Sequence, residues 1–200
     1  FSHCLGLPDF YDTEYSGHFG MGPWSLMDQG SYNDDGYTPP GYSAYEKEFM
    51  GWISIPEATE NTRYSLPVFN QKNAATDQAV RITKDKDEYY ILENRAQQGW
   101  DSYMATEGLM ITHVTYNASA WNSNVVNNYS LQRMTIIPAD NDLKMDKLTY
   151  YGETYYQVNE RSLLGDLWPY GGADALTDVS VPAAKTNTGG YMGKPITEIK

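Results

Sequence analysis

The 200-residue chain carries a single cysteine, Cys4, so no disulfide can close within it and the thiol count says nothing about compartment. It has no apolar run long enough to cross a membrane as a helix. Basic residues are scarce: 14 Lys and Arg stand against 26 Asp and Glu, a net charge of -12. Nucleic-acid phosphates would be repelled by such a balance, so no nucleic-acid partner is expected. The acids are dispersed rather than gathered in a tail, which reads as a solvated surface. Internal repeats and low-complexity segments are also absent. What the chain does have is aromatic weight: 18 Tyr, 14% aromatic and 40% hydrophobic residues overall, enough for a sizeable core. Tyrosine suits half-buried strands and cleft edges. Ordinary sheet packing accounts for most of it; a tyrosine-lined peptide- or glycan-binding surface is the rival account.

The first nine residues, Phe1-Ser2-His3-Cys4-Leu5-Gly6-Leu7-Pro8-Asp9, read His-x-x-Gly-x-x-Asp. That is the second half of a zinc-protease pattern that opens with H-E-x-x-H, in which two histidines one helical turn apart face a metal and the glutamate is the general base. Counting back four residues from His3 puts the first histidine and the glutamate immediately before Phe1, so the chain is expected to begin inside the motif and to be inactive alone. The spacing has a physical logic. Gly6 can take the left-handed conformation that ends a helix, Pro8 prevents its continuation, and Asp9 returns a carboxylate to the metal from a new direction. Two imidazoles and one carboxylate leave a fourth position open, as in a catalytic zinc site. A lone histidine beside an ordinary turn would carry the same residues. Further on, Gly22-Pro23-Trp24-Ser25-Leu26-Met27-Asp28 resembles a methionine turn, with Met27 as an apolar floor. The two elements in this order are harder to attribute to chance than either alone.

With Gly6 to Thr13, Trp24 to Ser31, Pro40 to Lys47, Gly51-Trp52, Glu88 to Arg95 and Gly108 to Val114, the chain resembles the immune inhibitor A-like family of secreted bacterial zinc metallopeptidases. The likeness is close from Phe1 to about Asp142 and looser beyond. It implies His3 as the second histidine ligand, Asp9 as the third ligand, Met27 as the turn methionine, zinc as cofactor, proteins or peptides as substrates, and a secreted or cell-surface location. No counterpart of the first ligand or the base is present.

The expected fold class is α+β: the C-terminal part of a zincin catalytic domain over 1–56, then a β-rich antiparallel sheet or sandwich over 57–200, with the boundary near 53–62. Phe10 to Tyr42 reads as loop, rich in Gly and Pro. Ser43 with Glu46 forms a capping box for a helix over 44–52, whose Tyr45, Phe49 and Trp52 are core candidates. Strands are expected at Tyr64-Ser65-Leu66, 79–83, 88–93, 109–116 and 133–137, with weaker ones at 155–158 and 195–199.

Other residues carry lesser expectations. Tyr32 follows the methionine turn and is a weak candidate to stabilise an oxyanion. Asp12, Asp34 and Asp35 lie in acidic loops of the kind calcium favours, with solvated turns as the alternative. Asp140-Asn141-Asp142 lacks the Gly and Glu of an EF-hand loop. His18 has no spacing that demands a role, His113 reads as a structural histidine, and Glu93-Asn94-Arg95 as a structural charge group. Asn117-Ala118-Ser119 and Asn128-Tyr129-Ser130 match the glycosylation pattern, which recurs by chance. Two other functional classes stay open: a β-rich peptide- or glycan-binding accessory module, and a pseudoprotease that keeps the fold without the chemistry.

Overall fold

The computed structural model describes residues 1–59, 61–71 and 77–200; residue 60, within the expected boundary, lies outside them. The architecture is α+β. Four antiparallel strands form a meander in the order β1 (Ala79–Thr83), β2 (Glu88–Arg95), β3 (Gly108–Thr115), β4 (Met134–Ile136). Helix α1 (Ala44–Phe49) precedes the sheet, and α2 (Ala118–Asn122) lies in the connection between β3 and β4. A separate hairpin, β5 (Met145–Tyr150) and β6 (Glu153–Val158), follows.

Alternation along the strands builds two cores on opposite faces of the sheet. Tyr89, Ile91, Met110, Val114 and Met134 pack with Leu7, Phe10, Trp24, Met27 and Tyr45 from the N-terminal region. Val80, Ile82, Tyr90, Leu92 and Ile111 pack with Trp168, Leu176, Met192 and Ile199 from the C-terminal region. Strand β2 is therefore buried on both faces, which explains its nearly uninterrupted apolar reading. The loop-rich N-terminal segment thus rests directly on the sheet.

Helix α1 begins as its sequence demands. Ser43 Oγ accepts the Glu46 N–H and the Glu46 carboxylate accepts the Ser43 N–H, a reciprocal cap contributing about 1 kcal/mol. It ends earlier than expected, at Phe49 rather than Trp52, because Gly51 turns the chain at φ 74. The apolar stripe is broken there: Tyr45 is buried, but Phe49 is 39% and Trp52 52% exposed. Trp52 instead meets Tyr42 edge-on.

Two expected strands are not ladders. Tyr64-Ser65-Leu66 runs without strand pairing, and only Val68 bridges, to Asn94; Pro67 has no N–H to offer a ladder. In 195–199 only Ile196 pairs, with Leu176, because the chain after Trp168 is held by single bridges and side-chain packing. Strand β5 carries no alternating pattern, being largely exposed, and was not legible. Its partner is set by the turn: Tyr151 and Gly152 both stand at positive φ (49° and 83°) between the paired Tyr150 and Glu153, the signature of a two-residue type I′ hairpin.

Candidate metal centre

Ser2–Leu5 forms a 3-10 turn. Gly6 closes it in the left-handed conformation (φ 91°, ψ 1°), its N–H donating to the His3 carbonyl at 3.0 Å. Leu7 and Phe10 then enter the core as anchors, and the intervening Asp9 is turned back towards His3. The Phe10 N–H donates to the Met27 carbonyl at 2.9 Å, tying this loop to the turn at Met27.

His3 Nδ1 lies 2.8 Å from the Leu7 carbonyl. A carbonyl only accepts, so a proton sits on Nδ1, and Nε2 is the ring nitrogen left to face other groups. That Nε2 faces Asp9 Oδ1 at 3.2 Å, with 60% of the His3 side chain and 16% of the Asp9 side chain exposed. A lone pair and a carboxylate oxygen at this distance repel unless a proton or a cation stands between them. Two donors about 2.0–2.2 Å from one tetrahedral zinc lie roughly 3.3 Å apart, so the pair fits a shared zinc ion. The Nδ1 bond to a carbonyl is also what a ligating imidazole usually makes with its other nitrogen.

The turn at Met27 is built by polar side chains. Ser25 accepts the Asp28 and Gly30 N–H groups on its carbonyl and the Met27 N–H on its hydroxyl, at 3.2, 3.1 and 3.0 Å. The same hydroxyl donates to Glu46 Oε1 at 2.6 Å, so the cap of α1 also supports the turn at Met27. Asp28 Oδ2 accepts the N–H groups of Met21 and Gly22, both at 2.9 Å, and Oδ1 that of Gln29 at 2.6 Å. Burial pushes the Asp28 carboxyl up to about 8 despite these bonds, with the nearby Asp9 charge adding to the rise. Met27 itself is 5% exposed.

His3, Asp9, Met27, Asp28 and Tyr32 line one cavity of about 520 Å³, to whose lining Met145 and Tyr156 of the β5–β6 hairpin also contribute. That volume suits a peptide side chain or a small ligand. Tyr32 is on its rim, 78% exposed. His18 lines the cavity too, while Cys4 is exposed and outside it.

The acidic loops are occupied differently. Asp12 Oδ2 accepts the Ser16 N–H and hydroxyl and the Gly17 and His18 N–H groups, and Oδ1 accepts that of Glu14. Burial raises this carboxyl, but those bonds outweigh it and hold it below its ordinary value. Its oxygens organise their own loop. Asp34 Oδ2 accepts the Thr38 hydroxyl at 2.6 Å, and both Asp34 and the exposed Asp35 sit at positive φ. Among the described residues no group of three or more His, Cys, Asp or Glu is placed to hold a metal ion; His3 and Asp9 are a pair.

Sequence reasoning missed the asparagines that fix this loop. Asn124 bonds Asp9, Asn128 bonds Thr13, and Asn127 bonds the Phe10 carbonyl, all from the segment after α2. The run of Asn between residues 122 and 128 was the available signal. Asn117 caps α2 and Asn128 is buried against Thr13, so both glycosylation-like motifs have folded roles. His113 is bonded to Glu88 at 2.8 Å. Arg95 is buried against Glu93, Asp101 and the Gly41 carbonyl, and Glu93 also accepts the Ala44 N–H.

Part of the chain is similar to known proteins. Residues 1–53 match the family described as immune inhibitor A peptidase M6, catalytic domain. Immune inhibitor A of Bacillus thuringiensis subsp. alesti is 39% identical over 66 residues, 28% of this chain and 10% of that protein. Pre-pro-metalloprotease PrtV of Vibrio cholerae serotype O1 (strain M66-2) is 29% identical over 96 residues, 42% of this chain and 10% of that protein. The chain thus covers about a tenth of the length of these relatives. No solved structure matches it. The likeness to the immune inhibitor A peptidase M6 catalytic domain is thus confined to residues 1–53.

Proposed function

We propose that residues 1–56 are the C-terminal part of the catalytic domain of a zinc-dependent endopeptidase and that 57–200 are the β-rich region supporting it. The observation that carries the reading is the approach of His3 Nε2 to Asp9 Oδ1 at 3.2 Å on the wall of a cavity also lined by Met27. In this reading His3 and Asp9 hold zinc, and the remaining histidine ligand and the glutamate base come from residues directly preceding Phe1 in the longer polypeptide. Zinc there would supply a Lewis acid for the scissile carbonyl and bring the pKa of water to about 7.

The chain's own residues do the rest by placement. The Nδ1 bond to Leu7 holds the imidazole in the tautomer that presents Nε2. Met27, backed by Ser25 and Glu46, keeps an apolar side chain in the cavity wall. Tyr32 on the rim is the candidate donor to a developing oxyanion. The cavity receives a protein or peptide substrate, and location outside the cell follows from the family likeness. The carboxylates of Asp12 and Asp34 accept hydrogen bonds within their own loops.

The test is peptide hydrolysis by the longer polypeptide. Zinc removal is expected to abolish cleavage, Asp9→Asn and His3→Ala to lower it at least 100-fold, and the 200-residue chain alone to be inactive. Cleavage that survives chelation, or Asp9→Asn at wild-type rate, would overturn the assignment.

A further inference from the structure

Asn124 holds Asp9 at two points. Its side-chain oxygen accepts the Asp9 N–H at 2.6 Å, and its amide nitrogen donates to Asp9 Oδ2 at 2.7 Å. The amide orientation is forced, because the N–H needs an acceptor and the carboxylate a donor. Together the bonds fix both the backbone of Asp9 and the rotation of its carboxylate. Oδ2 is committed to the amide, and Oδ1 is the oxygen turned to His3 Nε2.

The amide itself sits on a firm base. Asn124 follows the C-cap of α2 at φ 56°, a conformation that Asn tolerates better than most residues. Its N–H donates to the Trp121 carbonyl at 3.2 Å, and its own carbonyl accepts the Thr13 hydroxyl at 3.2 Å. Trp121 is buried and packs against Phe10 and Tyr45. The polar tip that meets Asp9 is thus carried by the same core that anchors the ligand loop at Phe10.

We propose that Asn124 is the positioning residue of the metal centre: it aims Asp9 Oδ1 at the cation while leaving the full negative charge on the carboxylate. The inference rests on the reading of His3 and Asp9 as metal ligands. A neutral amide suits the task because it orients the carboxylate without supplying a positive charge that would compete with the metal. Hydrogen-bond partners of this kind commonly govern metal affinity 10- to 100-fold.

The experiment measures zinc affinity of the longer polypeptide by competition with a chromophoric chelator, together with the visible absorption of its Co²⁺-substituted form. Asn124→Gly removes the amide while accepting the positive φ, and Asn124→Asp keeps the shape but replaces the donor. Asn128→Ala removes the neighbouring bonds to Thr13 without touching Asp9. Both Asn124 variants are expected to bind zinc about 10- to 100-fold more weakly and to shift the cobalt bands, with Asn128→Ala unchanged. Circular dichroism checks that each variant folds, and Asn124→Asp carries the test should Asn124→Gly not fold. Wild-type affinity in the Asn124 variants would overturn the proposal, as would an equal loss in Asn128→Ala, which would mark general support of the loop. Should Asp9→Asn bind zinc as the wild type does, the ligand assignment itself fails and this inference falls with it.

Discussion

The two parts of the molecule hold their backbones by different means. In the sheet, β2 pairs with β3 along its whole length and with β1 from Tyr89 to Glu93, and side chains are left to fill the two cores. Between Phe1 and Tyr42 there is no ladder. Backbone groups are met one by one by Asp12, Ser25 and Asp28, and by Asn124, Asn127 and Asn128 reaching over from the connection before β4. Irregular backbone can be buried only if each polar group finds such a partner. The loop region therefore owes its shape to particular side chains, each with few substitutes. The ladders would survive most single replacements. The cavity sits on the vulnerable side, held by residues distant in sequence.

The sharpest way to break this contrast is at the charged cluster joining the parts. Arg95 is fully buried and bonds Glu93 and Asp101 from its own region and the Gly41 carbonyl from the other. Arg95→Ala leaves two buried carboxylates uncompensated and is expected to cost about 3–5 kcal/mol in denaturant unfolding, or to prevent folding. A smaller but more local loss is expected from Asn127→Ala. Asn127 donates to the Phe10 and Met134 carbonyls and accepts the Arg133 and Met134 N–H groups. Its removal should cost roughly 2–3 kcal/mol, and hydrogen exchange should quicken around Phe10 while the β2–β3 ladder stays protected. Equal acceleration in both places would erase the distinction between the parts.

Acid and base sharpen the comparison with smaller effects. Asp166, which accepts the Trp24 indole N–H at 2.7 Å, is raised from 3.8 to about 7 by burial, with the charges of Asp140 and Asp142 adding to it. The folded state holds this proton more tightly, so the contribution is complete below about pH 4 and is lost as pH rises through about 7. Glu88 behaves oppositely. Burial would raise it, but bonds from His113, Thr188 and the Asn187 N–H outweigh that and bring it from 4.5 down to about 2. Its contribution is present above pH 4.5 and lost as pH falls through about 2. Thermal unfolding against pH should show Asp166→Asn removing the decline between pH 4 and 7, and Glu88→Gln removing the fall at the acid end.

Much of the scaffold could be read from local pattern. Ser43 and Glu46 announced the start of α1, because both partners of a capping box lie within four residues. Residues 79–83, 88–93, 109–116 and 133–137 carried β-branched and aromatic residues dense enough to mark all four strands of the sheet. The hairpin strand β5 escaped because an exposed strand needs no alternation, and the end of α1 escaped because Gly51 cuts an apolar stripe that continues to Trp52.

His3, Gly6, Asp9 and Met27 could be singled out from the order of residues alone, since a turn of fixed length brings neighbours in the chain together. The orientation of Asp9 could not. Asn124 lies 115 residues away, and no spacing rule links it to the loop that carries Asp9. The same holds for the contribution of Met145 and Tyr156 to the cavity lining. Local chemistry, acting over a few residues, is enough to write the motif and the elements. Which distant amide meets a carboxylate depends on how two cores pack against a common sheet, and only the folded chain settles that.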